Sequence, residues 1–80
     1  MPVSQQAGLL CNEPQFGTFA AMRCGLINTN FNPHASAQYL RDVCKITSRR
    51  DLDTDRGAQQ RFYQLRTNFD AWRGRIAAPR

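Results

Sequence analysis

The chain is 80 residues long, 41% hydrophobic, and contains five Phe, two Tyr and one Trp. That is enough apolar side chain for one small core and too much for a disordered segment. The net charge of +5 is unevenly placed: Arg23 and Glu13 cancel in residues 1–40, and ten basic against five acidic residues lie in 41–80. No run approaches the ~20 apolar residues of a membrane span, and the N-terminus lacks the basic and apolar regions of a signal peptide. The expected location is the cytoplasm.

Met1 to Gln6 reads as a frayed start, and Ala7–Cys11 as an apolar piece about one helical turn long. Asn12 then offers an N-cap, with Glu13 and Pro14 in a first turn and Gln15 at the capping-box position. Phe16, Phe19, Ala20 and Arg23 share a helical face, and Gly25 supplies a stop. This predicts a helix over 13–24. Leu26–Phe31 is polar and Asn-rich and reads as a loop. Asn32-Pro33 restarts the chain as N-cap and first helical residue, and the spacing of Ser36, Ala37, Leu40, Val43 and Cys44 predicts a helix over 33–45. Ile46 folds back toward the core. Ser48, with Asp51 three residues on, caps a short helical turn.

Asp53-Thr54-Asp55 breaks and recaps the chain, carboxylates being favoured at a helix N-terminus. The long helix is predicted over 55–75, with 77–80 frayed. Its signature is Ala58, Phe62, Leu65, Phe69, Trp72 and Ile76 at spacings of 4, 3, 4, 3 and 4, which puts all six on one face. With no alternating stretches, the expected fold is all-α: one domain over 1–80, three main helices plus one or two short helical turns.

Arginines border the stripe. Arg66 and Arg73 fall on one flank with Asp70 between them, and Arg61 and Arg75 on the other. Arg66–Asp70 and Asp70–Arg73 are at ion-pairing spacings. One reading of this border is a solvated helix surface. The other is an anion-binding surface, joined by Arg49, Arg50 and Arg56 from the preceding turn, with Tyr63 able to stack a base. Guanidinium groups suit phosphate and carboxylate.

Other chemistries fare worse. Leu40–Leu52 has the rhythm of a helix-turn-helix, but Lys45 stands where the turn usually has Gly, and Asp51, Asp53 and Asp55 would face phosphates. Asp51-x-Asp53-x-Asp55 opens like a calcium loop, but Arg56 replaces the turn glycine and Phe62 the bidentate glutamate. Cys11, Cys24 and Cys44 are three, separated by 13 and 20 residues, so neither a disulfide framework nor a zinc site with His34 is signalled. No orienting group or oxyanion site accompanies a Cys–His pair. The expectation is no enzyme activity, no cofactor and no metal. Self-association of the stripe as a short coiled coil is a further reading, with Phe and Trp bulky for a dimer seam.

Three groups of landmarks carry a resemblance: Cys11-x-x-Pro14-x-Phe16-x-x-Phe19, then Leu40-Arg41-x-x-Cys44-x-Ile46-x-Ser48-Arg49-x-x-Leu52-Asp53, then Phe62 and Phe69-x-x-Trp72. Together they resemble small accessory proteins carried by phages and prophages of GC-rich bacteria, over about residues 10–73 and most strongly 40–53. These motifs are helix caps, a turn and a core, so no catalytic residue carries over. The resemblance implies action on DNA recombination or replication. It equally implies inhibition of a host defence such as a CRISPR nucleoprotein complex, by docking on an acidic face or occupying the nucleic-acid site.

Overall fold

The computed structural model describes residues 1–74. Within them the chain is all-α, with no strand: α1 (Val3–Cys11), α2 (Pro14–Arg23), α3 (Pro33–Cys44), a 3-10 turn at Arg49–Asp53, and α4 (Arg56–Trp72).

The N-terminus departs from expectation. Residues 3–6 are not frayed but open a nine-residue helix that buries Ala7, Leu10 and Cys11 and packs Val3 on the core. One cause is local and the other is distant. Pro2 sits at the N-cap position with φ −60°, already set for the helix. The carboxylate that satisfies the first turn comes from Asp53, which accepts from the Ser4 N–H and hydroxyl. α1 is therefore a fourth helix, stabilised by a cap delivered from far along the chain.

α2 keeps Pro14 in its first turn, but its N-cap is Glu13, which makes no side-chain capping bond. Asn12 instead closes α1. The helix ends as expected at Gly25, whose φ of +86° accompanies a Leu26 N–H to Ala21 carbonyl bond of 3.0 Å, the closure that lets a glycine satisfy a terminal carbonyl.

The loop after α2 folds back on that helix. Asn30 Nδ2 donates to the Pro14 carbonyl at 2.9 Å and to Thr18 Oγ1 at 2.6 Å, and the Phe31 N–H donates to the Gly17 carbonyl at 3.2 Å. A Cβ on Gly17 would lie 2.3 Å from the Phe31 carbonyl oxygen, so only glycine permits this approach.

α3 begins as read. Asn32 Oδ1 accepts from the Ala35 N–H at 2.7 Å, with Pro33 first in the helix, a cap that contributes about 1 kcal/mol. It ends at Lys45, which takes the left-handed conformation itself (φ +60°) while the Ile46 N–H reaches the Arg41 carbonyl. Ile46 then returns to the core. The next element is a five-residue 3-10 turn with Leu52 fully buried, not the α-helix a helix-turn-helix would place in a DNA groove. Its Ser48–Asp51 capping box forms as expected.

The stripe on α4 is the centre of the core. Ala58, Phe62, Leu65 and Phe69 are at most 3% exposed. Phe69 meets Phe16 edge-on at 5.3 Å and Phe19 at 5.4 Å between ring centroids, geometries that favour aromatic pairs. Those four side chains are enclosed by the protein's own helices, which removes the seam on which a self-zipped coiled coil would rest. Trp72 is 40% exposed, flanking Phe19 and Phe69. Ile76 and the frayed end expected at 77–80 lie outside the described residues. No described helix is long and apolar enough to cross a membrane.

Candidate nucleic-acid interface

The arginines read from the sequence divide into two groups. Arg61, Arg66 and Arg73 clasp neighbouring helices. Arg61 is half-buried, and its Nε donates to the Cys44 carbonyl at 2.8 Å, tying α4 to the end of α3. On the opposite flank Arg66 Nη1 donates to Gln6 Oε1 of α1 at 2.9 Å. The Arg73 side chain is only 15% exposed. Its Nη1 meets Glu13 at 2.7 Å, its Nη2 meets Asp70 at 3.2 Å, and the guanidinium lies 4.3 Å from the Phe69 centroid.

The Asp70–Arg73 pair thus forms as expected, while Arg66 reaches across to α1 and forms no ion pair with Asp70 among the described residues. Arg66 gains a contact between elements that helical spacing alone does not show. Arg75 lies outside the described residues.

Arg49, Arg50 and Arg56 form the second group. All three are exposed, and none has a side-chain hydrogen bond or ion pair among the described residues. Arg49 and Arg50 stand on the 3-10 turn and Arg56 begins α4. Arg49 lies along α1: a Cβ added to Gly8 would be 3.3 Å from its Cζ. Tyr63, 47% exposed, is seven residues from Arg56 on α4, so the two share a face.

Two further basic residues belong beside this group. Arg41 and Lys45 are four residues apart at the end of α3, and α1 packs against both α3, which bears Arg41, and the turn that bears Arg49. The interval of four from Arg41 to Lys45 to Arg49 is not a helical face, because Lys45 leaves the helix at φ +60°.

The neighbouring carboxylates are engaged one by one. Asp51 closes the capping box, Asp53 holds Ser4, Asp55 accepts from the Ala58 N–H at 3.1 Å, and Asp42 accepts from Gln38 at 2.9 Å. The Asp51, Asp53 and Asp55 series therefore serves three separate backbone segments, the capping role that was the simpler reading of it. No cluster of three potential metal ligands occurs among the described residues.

Cys11 and Cys44 are buried and Cys24 exposed, all free. Burial pushes the Cys11 thiol up and the Cys44 thiol to about 11, so both remain protonated at neutral pH and act as core packing. His34 is exposed in the first turn of α3. Comparison with family models, curated proteins and solved structures finds no match to this chain.

Proposed function

We propose that this chain is a non-catalytic accessory protein of phage type that binds nucleic acid, with weak sequence preference, through Arg49, Arg50 and Arg56 supported by Arg41 and Lys45. The observation that carries this reading is the set of three exposed arginines in one short segment, without intramolecular partners among the described residues. Carboxylates beside them are tied to backbone donors. Guanidinium groups contact phosphate oxygens directly, and each phosphate neutralised releases condensed counterion.

Arg61, Arg66 and Arg73 hold the helices that carry this surface and lend it charge from the flanks. Tyr63 supplies a face on which an unpaired base stacks, a contact of about 1–3 kcal/mol. Weak specificity follows from the 3-10 turn, which is too short to enter a major groove and carries no base-reading motif. Fluorescence anisotropy with short single- and double-stranded DNA and RNA, at low and moderate salt, tests the proposal. Binding that weakens steeply with salt supports it, and no binding even at low salt rejects it.

A further inference from the structure

Building on the nucleic-acid reading above, and dependent on it, we infer that the strand bound is single and lies along the outward face of α4. Tyr63 is the residue that tells it from a duplex. Arg56, Gln60, Tyr63 and Thr67 are all exposed and fall within about 60° of one another around the helix. Arg56 begins this face three residues after the arginine-bearing turn ends, and makes no side-chain hydrogen bond or ion pair among the described residues. Residues 56–69 contain no Asp or Glu. The next carboxylate on this face, Asp70, stands two turns past Tyr63 and is paired with Arg73, which marks the far end of the track.

Tyr63 is 47% exposed, and its ring packs on that of the buried Phe62 at 5.7 Å between centroids, tilted by 56°. Part of the ring is thus braced by the core and the rest is open. A side chain already held in place loses little freedom when a base stacks on it. Arg56 and Tyr63 are seven residues apart on α4, which is about 10 Å along the axis. That is the rise of about three stacked nucleotides in one strand. A strand whose phosphate meets Arg56 therefore brings a base to Tyr63, with the Gln60 amide between them.

A duplex gains little from this arrangement. Its bases are already stacked on both sides and must be taken out before a ring can receive one, whereas an unpaired base reaches an aromatic face at small cost. Laid in a major groove, α4 would have a phosphate strand along each flank. The cations on those flanks are Arg61 and Arg66, which donate to the Cys44 carbonyl and to Gln6. They add charge to the surface but are held on the protein. The outward face itself offers one free guanidinium and one open ring, which suit the phosphate and the base of a single strand.

The test is fluorescence anisotropy of the full chain at low salt with three labelled DNA probes of about 12 nucleotides, within the reach of a small binding site. One is a single strand, one is the same sequence as a duplex, and one is the single strand with its central bases removed and its phosphates kept. The parent is expected to bind the intact single strand more tightly than the duplex, although the duplex has the higher charge density. It should bind the abasic strand about tenfold more weakly, the order of one stacking contact. Tyr63→Ala should lose about the same factor on the intact strand, keep the parent's salt slope, and no longer distinguish intact from abasic. Tyr63→Phe keeps the ring and should bind as the parent does. A duplex bound as tightly as the single strand would overturn the inference and leave the arginine reading standing. So would an abasic strand bound as tightly as the intact one, or a Tyr63→Ala variant that still distinguishes them. No binding to any probe removes both.

Discussion

The carboxylate of Asp53 accepts both the backbone N–H of Ser4, at 3.0 Å, and its hydroxyl, at 2.7 Å, across 49 residues of sequence. One side chain therefore caps the first turn of α1 and fastens it to the arginine-bearing turn. Both bonds favour the ionised form and lower the Asp53 carboxyl below its ordinary value of 3.8. Asp53→Asn should lower the melting temperature near neutral pH. A depressed carboxyl contributes stability that is complete above the unfolded value and is lost as pH falls through the lower folded value. The gap between parent and variant should therefore persist down to about pH 4 and close below the folded value. Thermal unfolding followed by circular dichroism across that range checks it, and a gap that widens on acidification contradicts it.

Arg73, at the end of α4, joins that helix to the start of α2 by contacting Glu13 before α2, Gln15 within it and Asp70 on α4. Arg73→Ala should destabilise the fold by about 2 kcal/mol, by stranding partly buried carboxylates and uncovering Phe69. Arg73→Lys should recover less than half of this, because a single ammonium cannot reproduce the forked contact or lie flat on the ring. Urea denaturation measures both.

Gly17→Ala places a methyl group 2.3 Å from a backbone oxygen. Unlike a clash with a flexible side chain, this one moves the loop. The expected cost is about 1–3 kcal/mol, with chemical-shift changes concentrated at 26–32.

The three cysteines should separate by reactivity. A disulfide reagent at neutral pH is expected to modify Cys24 quickly and Cys11 and Cys44 only on opening of the fold. Modification of Cys44 as fast as Cys24 would contradict its burial.

Much of this fold was legible because the signals were local. Asn32-Pro33 capped α3, Ser48 and Asp51 formed their box, Gly25 ended α2, and the stripe from Ala58 to Phe69 entered the core, each set by neighbours within about two turns. What was missed depended on distant partners. α1 looked frayed because its cap comes from Asp53, and Asn12 looked like the cap of α2 although it closes α1. The candidate site behaved the same way. Helical angle correctly put Arg61 on one flank and Arg66 and Arg73 on the other, but it did not show that Cys44, Gln6 and Glu13 would occupy them. Arg49, Arg50 and Arg56 are left exposed, and Arg41 and Lys45 join them only once α3 and the turn are placed together.

The central claim is tested most directly by the salt dependence of binding to a short oligonucleotide, compared between the parent and the triple variant Arg49→Ala, Arg50→Ala, Arg56→Ala. Each phosphate contact steepens the logarithmic salt slope by about 0.7–0.9. The account predicts that the triple variant loses about 2–3 in slope and binds far more weakly. An unchanged slope and affinity in the triple variant, or no binding by the parent at low salt, would contradict it.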